Sequence, residues 1–220
     1  MKKRTIILGG GFAGLQACAA LRRADTDVTL FDPSPVATML PSLPDLAGGW
    51  IPERLVRRPL AELLPPNVVL IPKAVDSIDL DARAVSAGGE SFAYDHLLIA
   101  AGPVPDFYGS TFPRDRMHPL GSLNDALRIR DDFASYLRTA ARPHLLVAGT
   151  GYTGLELAMS LFFRAKAAGI SCPVTIVDPT PVLLPSLPDK HREYVLRFLT
   201  GQGAEVRLGV AVEAFDGRDA

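Results

Sequence analysis

Apolar residues first gather at 6–8, within a short β-rich run at 5–8 between a basic start and three glycines. An apolar pattern with helical spacing follows at 15–23, and a second compact run at 28–31. Short continuous runs rich in β-branched residues read as buried strands, whereas recurrence at every third or fourth position reads as helix. The same alternation returns at 145–148, 155–168 and 174–177. Laid over one another, IILGGGFAGLQACAALRRADTDVTLFDPSP and LLVAGTGYTGLELAMSLFFRAKAAGISCPVTIVDPTP each give strand, glycine turn, helix and strand, closing on an aspartate and Pro-x-Pro. A helix joining parallel strands forms a right-handed βαβ unit. Two such units far apart in sequence predict an α/β fold of two Rossmann-like, three-layer domains with parallel sheets.

The stretch between the repeats is less regular. Residues 36–64 are proline-rich and predict an excursion that ends in a short helix over 52–64. Runs at 68–71, 74–79 and 84–86 predict a small antiparallel meander before an apolar strand at 97–101. Pro103 and Pro105 follow Gly102, where a rigid non-helical crossover suits a domain boundary. The expected division is therefore 1–105 and 106–220. Beyond it, Ser122 caps a helix whose apolar face is Leu123, Ala126, Leu127, Ile129, Phe133 and Leu137. A helix over 189–202 and strands at 204–208 and 210–215 complete the expected elements.

The glycine turns carry the chemistry. Gly9, Gly11 and Gly14 occupy the three positions of GxGxxG, directly after a strand and before a helix. In that setting the first glycine allows the tight turn, the second lets the backbone approach a pyrophosphate, and the third lets helix and strand pack closely. Free amides at the helix start face the negative charge. Asp32 falls 18 residues past Gly14, at the end of the next strand, where a carboxylate accepts hydrogen bonds from ribose hydroxyls. Gly149, Gly151, Gly154 and Asp178 repeat the arrangement, with a longer helix between. One such turn can be a plain connection, but two copies in register, each with its acid, predict two adenine dinucleotides. Asp178 would repel a 2′-phosphate, and Pro179, Thr180 and Pro181 offer no arginine to receive one, so NADH is expected over NADPH.

Composition narrows the partners. The chain has 23 basic and 24 acidic residues, unsegregated, for a net charge of −1, which gives no electrostatic reason to expect nucleic acid. Cys18 and Cys172 are the only cysteines, too few for a disulfide framework or a metal site, and a reducing compartment is expected. His96, His118, His144 and His191 show no spacing for a metal or a triad. The basic run Arg54, Arg57 and Arg58 reads as a solvated helix face. No stretch reaches the length of a spanning helix, and the first apolar run is too short for a secretion signal. A cytoplasmic protein is expected, with the inner face of the cytoplasmic membrane left open.

The residues then show a family resemblance. The chain resembles the two-dinucleotide flavoproteins, the pyridine nucleotide-disulfide oxidoreductase superfamily, and within it the type II NADH dehydrogenases and sulfide:quinone reductases. GFAGLQA, with Phe12 and Ala13 between its glycines, is similar to the family's FAD turn. MLPSLPDLAGGWIPERLVRRPLAELL is similar to the segment beside the flavin. YDHLLIAAG resembles the strand whose Ala-Thr-Gly end touches FAD, here Ala100, Ala101 and Gly102, with Ala101 in place of threonine. TGLELA, from Thr153, resembles the nicotinamide-side helix. The resemblance implies FAD at the first turn and NAD(H) at the second. It implies Pro41, Ala74 and Val75 beside the flavin, and Glu156 as the catalytic residue near the meeting of nicotinamide and flavin, bordered by Tyr152.

The implied reaction passes hydride from NADH to flavin and electrons on to a quinone or similar small acceptor. Family members are longer, with a returning FAD segment and a region for quinone, dimer or membrane contact. The chain is therefore expected to be a longer protein cut after the first part of its NAD(H) domain, or a natural truncation. Peripheral membrane association through that further region and a homodimer stay open. Two alternatives stand beside this reading. One is a sulfide:quinone reductase-like enzyme, disfavoured because the second turn holds no sulfur. The other is a non-catalytic nucleotide-binding or redox-sensing module that takes NADH without FAD.

Overall fold

A computed structural model describes residues 2–107, 112–113 and 117–215. In chain order the elements are β1 (Lys3–Leu8), α1 (Phe12–Ala20), β2 (Thr26–Phe31), β3 (Val36–Thr38), α2 (Leu43–Gly48), β4 (Arg57–Pro59) and α3 (Leu60–Leu63). Next come β5 (Val68–Ile71), β6 (Ser77–Asp79), β7 (Ala84–Ala87), β8 (Glu90–Ala93) and β9 (His96–Ile99). The chain continues through α4 (Leu123–Thr139), β10 (Leu145–Ala148), α5 (Tyr152–Ala167), β11 (Val174–Asp178), α6 (Asp189–Gly201) and β12 (Glu205–Leu208). These elements form two compact units, Met1–Thr38 with Arg57–Val104, and Met39–Val56 with Pro105–Ala220.

The first unit is a parallel sheet in the order β5-β2-β1-β9. Its central strand is buried on both faces because consecutive apolar side chains have separate partners. Ile7 joins Val28, Leu30 and Cys18 of α1 on one face. Ile6 and Leu8 join Phe31, Val85, Ala87 and Tyr94 on the other. The antiparallel meander β6-β7-β8 covers that second face, and Phe92 of β8 meets Phe31 edge-on at 5.0 Å. Helix, sheet and meander thus make three layers.

The second unit carries the parallel sheet β10-β11-β12. Helix α5 packs Leu155, Ala158 and Met159 against Val147, Val174 and Ile176 of the sheet. Its opposite side gives Leu161 and Ala165 to a second cluster with Ala126, Ile129, Phe133 and Leu137 of α4. These α4 positions include four of the six expected from its apolar stripe, and Ser122 caps the helix by accepting from the Asp125 amide at 3.2 Å.

Several elements differ from expectation. Residues 39–56, expected in the first domain, pack with the second unit because α2 buries Leu43, Leu46 and Ala47 against α4 and α5. Ser160 donates its hydroxyl to the Pro44 carbonyl at 2.8 Å, and Trp50 Nε1 donates to the Ser160 carbonyl at 3.0 Å. The helix expected over 52–64 is instead a 3-10 turn at Glu53–Leu55, the strand β4 and the single-turn α3. Pro59 cannot continue a helix, and 57–59 pair antiparallel with β3. β5 pairs with β2 in the parallel sheet rather than in the meander, whose third strand is β8. No strand forms at 210–215. There the Gly209 and Val210 amides donate to the carbonyls of Thr180 and Asp178, turning the chain away.

Candidate functional site

Each unit ends its first strand in a glycine turn that opens directly into a helix. In the first unit, Gly9 has φ +102°, and its amide donates to the Phe31 carbonyl at 2.8 Å. A Cβ there would lie 2.3 Å from the Ala100 carbonyl oxygen, so the loop of Ala100, Ala101 and Gly102 presses directly on the turn. Gly14 is closed in further, since its Cβ would sit 1.8 Å from the Gly9 oxygen. These two glycines are required by the protein's own packing. Gly11 is different. It caps α1 with an ordinary φ of −76°, and a Cβ added to it would meet nothing within 4 Å.

The second unit repeats the pattern. Gly149 has φ +117° and donates to the Val177 carbonyl at 2.8 Å. A Cβ on Gly154 would lie 2.3 Å from the Gly149 oxygen. Gly151 caps α5 with φ −70° and, like Gly11, borders open space. Neither helix start has a capping side chain or an acid in its first turn. The amides of Phe12 and Ala13, and of Tyr152 and Thr153, therefore keep the donor capacity and partial positive charge that suit a diphosphate.

The two acids bind their turns in the same way. Asp32 Oδ2 accepts from the Gly10 amide at 2.6 Å, and Oδ1 from the Ser34 amide at 2.7 Å. Asp178 Oδ2 accepts from the Thr150 amide at 2.7 Å, and Oδ1 from the Thr180 amide at 2.8 Å. Asp178 also takes the hydroxyls of Thr150 and Thr180, at 2.8 and 2.5 Å. Burial pushes its carboxyl up, but hydrogen bonds from Thr180 and Thr150 outweigh that and hold it at about 2.

Not every expected residue gathers at these turns. Ala74 and Val75 lie in the loop after β5, with Val75 packed on the cluster below the sheet. Pro41 sits in the 3-10 turn Leu40–Ser42, within the second unit. Glu156 stands exposed one turn into α5 and, with Asp45, Trp50, Met159, Ser160 and Phe163, lines an open depression of about 430 Å³. Asp45 and Trp50 were not among the expected site residues, although both lie in the segment MLPSLPDLAGGWIPERLVRRPLAELL that resembles the family's run beside the flavin.

A family model described as pyridine nucleotide-disulphide oxidoreductase matches residues 3–220, a stretch that contains both turns and both acids. The chain belongs to the pyridine nucleotide-disulphide oxidoreductase family. Among relatives of this family member is a type II NADH:quinone oxidoreductase, NdhA, from Mycobacterium tuberculosis, 29% identical over 98% of this chain and 51% of its own. A sulfide-quinone reductase from Aquifex aeolicus is 30% identical over 83% of this chain and 44% of its own. Solved structures include NDH2 from Plasmodium falciparum in complex with NADH, at TM-score 0.88 and 20% identity, over 99% of this chain and 50% of that one. The sulfide:quinone oxidoreductase from A. aeolicus follows at TM-score 0.85 and 24% identity, over 97% and 52%. The chain thus spans about half the length of the curated relatives it matches, and the structural likenesses establish the shared Rossmann-type fold.

Proposed function

We propose that this chain is the dinucleotide-binding part of a flavin-dependent NADH dehydrogenase of the quinone type, with FAD at residues 9–14 and NADH at residues 149–154. The observation that carries the reading is the pair Gly11 and Gly151. Among the described residues nothing requires glycine at either place, by backbone angle or by space. A group arriving from outside, close to the backbone at a helix start, would account for glycine there, and a pyrophosphate is such a group.

Bound flavin supplies hydride acceptance from nicotinamide and release of electrons to a second substrate. The chain's residues position. Amides of Phe12 and Ala13 hold one diphosphate and those of Tyr152 and Thr153 the other, while Asp32 and Asp178 take the riboses. Ala100, Ala101 and Gly102 line the flavin side of the first turn, and Pro41, Ala74 and Val75 are assigned beside the flavin by family resemblance. Glu156 is the catalytic candidate at the nicotinamide, beside Tyr152. The ionised Asp178 carboxylate disfavours a 2′-phosphate and so favours NADH. The names of the mycobacterial relatives, which specify NADH and quinone, support the same donor and acceptor class here.

The sulfide alternative is less well supported. Both cysteines are buried, and burial pushes each thiol's pKa up, away from the reactive thiolate. The test is reduction of the FAD-loaded chain under anaerobic conditions. The reading expects NADH to bleach the flavin, with NADPH slower by ~10-fold or more. Bleaching by sulfide but not NADH would replace it.

A further inference from the structure

The two acids differ in how much acceptor capacity they have left. A carboxylate offers roughly four acceptor sites. Among the described residues Asp32 receives two donors, the amides of Gly10 and Ser34. Asp178 receives four, because the hydroxyls of Thr150 and Thr180 join the two amides. An acid with every site taken has none to offer a ribose hydroxyl.

The first unit shows what an uncovered acid looks like. Ser34 and Thr180 are equivalent, each two residues past its aspartate. The Ser34 hydroxyl turns away from Asp32 and donates to the Val36 carbonyl at 2.9 Å. Thr180 has the same second acceptor, the Val182 carbonyl, at 3.4 Å. Thr180 is exposed, and its hydroxyl has both acceptors within reach. Thr150 differs, being 2% exposed, with Asp178 as the partner of its hydroxyl.

We propose that the Thr180 hydroxyl is a displaceable occupant of the ribose site, turning from Asp178 Oδ1 to the Val182 carbonyl when the nucleotide binds. Thr180 is thus a positioning residue that sets NADH affinity through Asp178. The hydroxyl keeps the carboxylate satisfied in the free protein and must be moved before the ribose can bond. The proposal rests on reading the second turn as the NADH site.

The test is the equilibrium affinity for NADH of the wild type, Thr180→Val, Thr180→Ser and Asp178→Asn, read by fluorescence titration. Valine keeps the shape and removes the competing donor, worth about one ordinary hydrogen bond, so Thr180→Val should bind NADH about threefold to tenfold tighter. Thr180→Ser keeps the hydroxyl and should match the wild type. A merely structural threonine would give the opposite sign, since its loss would loosen the turn. Thr180→Val binding no tighter than wild type, while Asp178→Asn loses NADH, overturns the displacement and leaves the site reading intact. Asp178→Asn binding as well as wild type, or a wild type that does not bind NADH, overturns the site reading itself.

Discussion

The amide of Gly10 donates to Oδ2 of Asp32 at 2.6 Å, so the acid proposed to bond a ribose also fixes the shape of the turn beneath it. Thr150 and Asp178 stand in the same relation at 2.7 Å. Each carboxylate therefore joins the two strand ends of its unit across the crevice where dinucleotides bind in such sheets. Replacing Asp32 by alanine should lower both FAD affinity and the thermal stability of the first unit. Loss of one without the other, seen by comparing flavin titration with calorimetry, would separate the two roles assigned here.

The turn glycines should divide into two classes by unfolding stability. Gly14→Ala and Gly154→Ala push a Cβ to within 1.8 and 2.3 Å of a backbone oxygen, and each should cost about 2–4 kcal/mol in denaturant unfolding. Gly11→Ala and Gly151→Ala meet open space at a helix cap and should cost less than about 1 kcal/mol. Equal losses in both classes would contradict the packing described.

Asp178 gives a pH signature of defined sign. Its folded carboxyl lies at about 2 against an ordinary 3.8. A depressed carboxylate contributes fully above its unfolded value and loses that contribution as pH falls through the folded value. The stability margin of wild type over Asp178→Asn should be constant above pH about 3.8 and close between about 3.8 and about 2. A margin that grows on acidification would be the wrong sign.

Trp50 is the single tryptophan, and it reports on the placement of residues 39–56. Its indole donates to the Ser160 carbonyl of α5, so its fluorescence should follow unfolding of the second unit. Leu161→Ala, at a site 3% exposed, should lower the unfolding free energy read by fluorescence by about 2–5 kcal/mol, while Leu30→Ala, at 0%, should leave it nearly unchanged. A fluorescence transition that instead tracks Leu30→Ala would return the segment to the first unit.

The cysteines provide a check on the donor. Cys18 and Cys172 are 0% and 4% exposed, so native protein should react with a maleimide much more slowly than unfolded protein. Rapid native labelling of either thiol would reopen sulfide chemistry.

The βαβ units were legible because each is a local pattern. Residues 3–31 and 145–178 carry their own period, glycine spacing and closing acid, and none of these needs distant residues to be recognised. Segment 39–56 was not legible, because α2 owes its place to Leu46 and Ala47 meeting α4 and α5, far along the chain. Strand β4 was hidden for a similar reason, since Arg57–Pro59 has no strand-like pattern and exists by pairing with β3. At the site, the turn glycines and the two acids came from motif spacing and the remaining residues from family resemblance, but the unequal covering of Asp32 and Asp178 depends on side-chain rotation. The difference between serine and threonine two residues later gave no hint of it.

The central claim is that Gly11 and Gly151 each make room for a separate dinucleotide. It is tested most directly by titrating FAD and NADH separately into wild type, Gly11→Ala and Gly151→Ala. The account predicts that Gly11→Ala loses FAD affinity by ~10-fold or more and keeps NADH, while Gly151→Ala does the reverse. Variants that bind both nucleotides as wild type does, or that lose both together while still folded, would contradict it.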